Sequence, residues 1–187
     1  MKIVRLTCHN RQTDELLAHL TGKVFHLTTL SAFTAIRKSG QILHNKDWRF
    51  ELNTSSSNSF GRLMGYVCLF DLRNHTAEVY ERILNDYYFL GPNWFERPKN
   101  GWIVSRLAYL VLDPAYYDRI IPNRTVHEHY RETAKYHHFI PHGEVWIRDH
   151  VPIDWIATVI LANMKRPLAK DSLEAICHEM EQKRRKL

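Results

Sequence analysis

Three stretches of this chain combine residue types used in acid–base and nucleotide chemistry. Glu144 heads the apolar run Val145-Trp146-Ile147. A carboxylate at such a position is costly to bury unless it is paired or catalytic; the alternative is an exposed glutamate at a strand end. His26 and Thr28 stand two residues apart in Phe25-His26-Leu27-Thr28-Thr29, a spacing that puts both on one face of a strand. A core histidine satisfied by a backbone carbonyl accounts for His26 equally well. In the third stretch, Ser59 to Arg73, a serine-bearing loop leads into an aromatic strand. The Arg62 guanidinium can clasp a diphosphate through two parallel N–H donors, with Ser59 beside it as a second candidate ligand. Tyr66 can offer its ring to a flat partner. Phe70 reads as core, and Asp71 with Arg73 as a pair at the strand end.

A fourth group is a crowd of histidines. His127, His129, His137, His138 and His142 fall close together with Glu128. Zinc and nuclease-type metal sites draw on such residues, and exposed histidines near a polyanion fit the pattern as well. The phosphate-loop, GxGxxG, GxSxG and HExxH signatures are absent, which removes support for the enzyme classes built on them.

The elements that must position these residues can be read from periodicity. Short strands are expected at Lys2–Thr7 and Val24–Thr28. Helices are expected at Thr13–Leu20 and from Thr29 or Ser31 to Lys38, where Gly40 is a stop signal. Gln41–Leu43 is extended, and Asn53–Gly61, with four serines, is a loop. Gly65–Leu72 is a strand, followed by a helix from Asn74 or Thr76 to about Tyr88 and a turn-rich stretch holding Pro92, Trp94, Phe95 and Pro98. Trp102–Leu112 is a long strand. Pro114–Ile121 and Thr125–Tyr136 read as helices, Glu144–Ile147 as a strand, Pro152 as the start of a turn or short helix, and Ile156–Ala162 as the last strand. Asp171 caps a C-terminal helix that ends in Lys183-Arg184-Arg185-Lys186. Strands and helices do not alternate regularly, so the order favours α+β over a doubly wound parallel sheet.

Composition bounds the rest. At 187 residues the chain fits a single domain, 1–187, with a basic helical tail over about 170–187. A hydrophobic fraction of 44% and a charged fraction of 25% argue against disorder of the whole chain. No run approaches the roughly 18 apolar residues of a membrane span, and the start lacks a signal-peptide pattern. Cys8, Cys68 and Cys177 are odd in number and far apart, which points to a reducing, cytoplasmic setting. The net charge of +6 suits a polyanionic partner, nucleic acid or a nucleotide diphosphate, as well as plain solubility.

The order of these segments resembles a family. An early strand with His26-x-Thr28 leads into a helix and Ser39-Gly40-Gln41-Ile42. Glu144 then starts a late strand followed by Asp149-His150-Val151-Pro152. This is similar to the ADP-ribosyltransferase superfamily, in particular its His/Tyr/Glu branch and the relatives among DarT-type DNA-modifying toxins, abortive-infection proteins and RNA 2′-phosphotransferases. The resemblance spans about Val24 to Ile160. It implies an α+β fold with a split, mostly antiparallel sheet core flanked by helices. It implies NAD as substrate, His26 on the nicotinamide ribose with Thr28 nearby, Tyr66 against the nicotinamide and Glu144 as the catalytic carboxylate. Position 142 is His142, so the Glu-x-Glu pair of the arginine-modifying toxins is missing. Tyr80, Tyr87 or Tyr88 could supply the ring in place of Tyr66.

The expected function is therefore transfer of ADP-ribose from NAD to a macromolecular acceptor, DNA or RNA among the candidates, in a toxin, defence or counter-defence role that would involve an antitoxin or regulatory partner. Two other readings compete. One is a non-catalytic nucleic-acid-binding module using exposed aromatics such as Trp94 and Phe95. The other is a metal-dependent nuclease using the His127–His142 cluster.

Overall fold

The computed structural model describes residues 1–9, 14–50, 59–76, 78–79, 82–83, 102–125, 139–140 and 143–167. The expected helices over Thr125–Tyr136 and from Asp171 lie outside these residues for the most part or entirely. So do Tyr80, Tyr87, Tyr88, Trp94, Phe95, Cys177 and the whole histidine cluster.

The described chain runs β1 (Lys2–His9), α1 (Asp14–Leu20), β2 (Val24–Thr29), α2 (Leu30–Ser39), β3 (Gln41–Leu43), α3 (Phe60–Met64), β4 (Tyr66–Asp71), β5 (Trp102–Leu112), β6 (Glu144–Arg148), β7 (His150–Pro152) and β8 (Ile156–Pro167). Short 3-10 turns occupy Pro114–Arg119 and Ile153–Trp155. Six strands form one sheet in the order β1-β8-β5-β2-β4-β6, and β3 pairs with β7 in a separate ribbon. Only β1 and β8 run parallel; the other four pairings of the large sheet are antiparallel. The protein thus has mixed α/β content around a mostly antiparallel six-stranded sheet.

Local chemistry explains the elements nearest the candidate site. Thr29 closes β2 and caps α2, its hydroxyl oxygen accepting the Ala32 N–H at 3.1 Å, which satisfies one of the orphan donors of the first turn. Gly40 ends α2 in the left-handed conformation at φ 76° and returns its N–H to the Ile36 carbonyl, a conformation that glycine adopts without a Cβ clash. The alternation of β6 buries four successive side chains, Glu144 to Ile147, so this strand is covered on both faces.

The sheet separates two apolar layers. On one side Phe25, Phe70 and Tyr109 pack with Leu16 and Leu20 of α1. On the other, Val67, Leu69, Leu110 and Val145 pack with Phe33 of α2. The sheet thereby buries its faces against helices on either side, as a two-sided sheet must.

Several details differ from expectation. Residues 60–64, read partly as loop, form α3; five residues are too few to show a periodic stripe. The segment read as helical over Pro114–Ile121 is a 3-10 helix over Pro114–Arg119, two residues shorter, with Asp113 capping it through Ala115 N at 2.9 Å. His150–Pro152 is a strand because Gln41–Leu43 supplies a partner, a choice made by pairing and invisible locally. Strand β8 continues past Ala162 to Pro167 along β5. No helix among the described residues is long and apolar enough to cross a membrane.

Candidate functional site

The three motif strands are neighbours. β2 carries His26 and Thr28, β4 carries Tyr66, β6 starts at Glu144, and the sheet order places them side by side as β2-β4-β6. β4 and β6 pair over five positions, Tyr66↔Arg148 to Phe70↔Glu144. β2 and β4 pair over only two, Val24↔Asp71 and Phe25↔Phe70. Beyond Phe25 the ladder between β2 and β4 stops, while β2 stays paired with β5 as far as Thr29. The unpaired arms are His26–Thr29 on one side and Tyr66–Leu69 on the other.

His26 stands at the point where pairing stops. Its Nδ1 lies 2.8 Å from the Cys68 carbonyl oxygen. A carbonyl only accepts, so Nδ1 carries the proton in this bond. Burial pushes the ring's pKa below its ordinary value, and the Cys68 bond opposes that only in part. In the neutral ring, Nε2 is then an acceptor available to a hydroxyl group. The core-histidine alternative, with a backbone carbonyl as partner, describes the same bond.

Glu144 is 5% exposed, which excludes the exposed strand-end alternative. Its Oε2 accepts the Ile140 N–H at 2.9 Å and its Oε1 accepts the Trp146 indole N–H at 2.9 Å. The Cys68 thiol also hydrogen-bonds the carboxylate. Desolvation nevertheless raises the Glu144 pKa, and the three hydrogen bonds act against it. A carboxylate offers about four lone-pair sites, so three donors leave roughly one free. The backbone is held as firmly: Glu144 N–H donates to the Ile140 carbonyl at 3.1 Å, and the Asn123 side chain donates to the Glu144 carbonyl at 2.9 Å.

The register decides what shares a face. Glu144 opposes Phe70, which opposes Phe25, so these three project alike, together with Cys68 and Trp146. His26 and Thr28 occupy the alternate positions of β2. No hydrogen bond among the described residues joins His26 to Glu144. Cys68 connects them: its carbonyl meets His26 and its thiol meets Glu144. Burial, and then the nearby Glu144 carboxylate, push the thiol well above its ordinary pKa, so it remains a protonated donor.

The other candidates fall around this centre. Thr28 opposes Ala108 and is half-buried. Tyr66 is half-buried and meets Phe60 edge-on with ring centroids 6.1 Å apart. Ser59 is the N-cap residue of α3 but its hydroxyl makes no capping bond. The Arg62 guanidinium lies 4.2 Å from the centroid of the Trp48 ring and donates to the Lys46 carbonyl at 3.4 Å. Asp71 and Arg73 pair bidentately at 2.9 and 2.6 Å, as the strand-end reading expects.

Residue types alone did not single out Cys68, Trp146 or Asn123. For Trp146 a signal existed: it follows Glu144 by two and so shares its face. Its indole packs against Phe60 at 4.9 Å and Phe139 at 6.0 Å, and a Cβ on Gly61 would stand 2.7 Å from its Cδ1. Cys68 bears the same period-two relation to Tyr66, whereas Asn123 reaches Glu144 only through the tertiary fold. Among the described residues no group of three or more His, Cys, Asp or Glu side chains could hold a metal.

Comparison with protein-family models, with curated proteins and with solved structures finds no match to this chain.

Proposed function

We propose that this protein transfers ADP-ribose from NAD to a macromolecular acceptor, with nucleic acid as the acceptor class its basic charge favours. The observation that supports the reading most is the adjacency of β2, β4 and β6 together with the early end of pairing between β2 and β4. The sequence resemblance requires a histidine strand, a tyrosine strand and a glutamate strand around an opening in a split sheet; the strand order is compatible with that requirement, while the register sets His26 and Glu144 on alternate faces.

In this reading, the His26 Nε2 accepts a hydrogen bond from a ribose hydroxyl, its tautomer set by the Cys68 carbonyl. Thr28 and Tyr66 line the two unpaired arms, Tyr66 against the nicotinamide ring, with Ser59 and Arg62 toward the diphosphate. The bond from ribose C1′ to nicotinamide nitrogen breaks, and its electron pair leaves with the neutral nicotinamide. C1′ bonds to the acceptor's nucleophile, whose proton passes to a base. Glu144, with one lone-pair site unfilled, stabilises the positive charge that builds on the ribose.

The test is nicotinamide release from NAD by the purified protein, with and without DNA, RNA or cell extract, beside Glu144→Gln. Release that depends on Glu144 supports the reading, and absence of release under every condition overturns it. A second reading, a nucleic-acid-binding module with this fold but no catalysis, is favoured by the burial of Glu144 and its three protein donors.

A further inference from the structure

The loop that follows β3 holds two large aromatic side chains out in solvent. Trp48 is 58% exposed and Phe50 49%. This arrangement is built. The Asn45 side chain donates to the Phe50 carbonyl and accepts the Phe50 N–H, both at 2.9 Å, while the Trp48 N–H returns to the Asn45 carbonyl at 3.3 Å. Trp48 adopts φ 55°, a left-handed conformation uncommon for a bulky residue. Arg62 of α3 lies over its ring at 4.2 Å, which fixes the indole plane from one side. Lys46, Arg49 and Arg62 accompany the aromatics, and among the described residues of the loop Asp47 is the one acid, 3.8 Å from Arg49.

Exposed rings set among cations are the two components of an unpaired-strand binding surface: bases stack on the rings, and phosphates meet the cations. A duplex, whose bases are already stacked, offers nothing to the rings. The loop also lies at the relevant end of the sheet. A Cβ built on Gly65 would stand 3.3 Å from the Lys46 side chain, so the platform adjoins Tyr66, where β4 begins and the unpaired arms of β2 and β4 open.

We propose that Trp48 and Phe50, with Lys46 and Arg49, form a stacking platform for an unpaired polynucleotide strand. As the acceptor site the platform rests on the transfer reading; as a binding site it stands without it.

The experiment is fluorescence anisotropy of end-labelled oligothymidine and oligouridine strands, and of a duplex of equal length, titrated with the full chain in the absence of NAD. Wild type should bind the unpaired strands more tightly than the duplex. Trp48→Ala should weaken strand binding by roughly 5- to 160-fold, the range expected for losing one stacked base. Lys46→Ala with Arg49→Ala should flatten the salt dependence by about 0.7 in log–log slope for each phosphate no longer neutralised. Circular dichroism of each variant checks that it is folded; Phe50→Ala provides a second ring deletion should Trp48→Ala fail that check. Equal binding of strand, duplex and heparin, or unchanged binding when either ring is removed from a folded protein, overturns the platform. The thymidine and uridine arms tell DNA from RNA. Ring-dependent strand binding by a protein that releases no nicotinamide keeps the platform and removes the transfer reading. Nicotinamide release without ring-dependent binding does the reverse.

Discussion

His26 Nδ1 and the Cys68 carbonyl oxygen lie 2.8 Å apart, although the strands that carry them stop pairing at Phe25 and Phe70. The histidine ring thus takes the place of a ladder hydrogen bond where the ladder ends. Cys68 turns its thiol to Glu144 on the other side, so one residue of β4 touches both of the polar groups proposed for the reaction.

Glu144→Gln should reduce nicotinamide release by at least about a hundredfold, the scale for losing one preorganised electrostatic group in an active site. The fold should persist, because glutamine is nearly isosteric. The amide still accepts one of the two N–H donors now shared by the carboxylate oxygens. Initial rates beside circular dichroism check this, and wild-type turnover in the variant would take Glu144 out of the mechanism.

His26 and Glu144 should shape the pH dependence of stability in opposite senses. The folded-state pKa of His26 is below its ordinary 6.5, so the unfolded chain takes up the proton first and stability falls as pH drops below that value. Glu144 is raised above its ordinary 4.5, so the folded chain keeps its proton longer and stability falls as pH rises through and beyond 4.5. Urea unfolding of wild type beside His26→Asn at about pH 7.5 and about pH 5.5 isolates the first effect. Asparagine can still donate to Cys68 but does not titrate, so wild type should lose stability relative to it on acidification. A difference that stays flat would mean that His26 titrates alike folded and unfolded.

Gly61→Ala should destabilise the protein by about 1–3 kcal/mol, the usual cost of overpacking a filled core. In an open helix the same change would gain up to about 1 kcal/mol of propensity. Here the new Cβ meets Trp146 Cδ1 at 2.7 Å and Nε1 at 2.9 Å. That ring is fully buried between Phe60 and Phe139 and bonded to Glu144, so it has nowhere to retreat. A melting temperature at or above wild type would show that the pocket relaxes freely.

Thr29→Ala should cost about 1 kcal/mol, the value of an N-cap side chain, by releasing the Ala32 N–H. Thr29→Ser keeps the acceptor oxygen and should recover most of the loss. Thermal melting of the two variants checks the assignment, and equal loss in both would point to the threonine methyl instead.

Much of this molecule could be read locally. The helical spacing of Leu30, Phe33 and Ile36, with Thr29 before and Gly40 after, determined α2 and its ends. The apolar runs at Val24–Thr28, Tyr66–Phe70 and Val145–Ile147 determined the three motif strands. These signals are short-range, because side-chain period, capping and left-handed glycine involve only a few neighbouring residues. The tertiary structure alone decided that those strands lie side by side, that Glu144 is buried and shared among Trp146, Ile140 and Cys68, and that Arg62 lies over Trp48. It also made His150–Pro152 a strand by giving it Gln41–Leu43 as a partner. Each of these depends on which distant backbone satisfies a strand's hydrogen bonds. That choice is made by long-range pairing and burial, which leave no periodic mark on the residues involved.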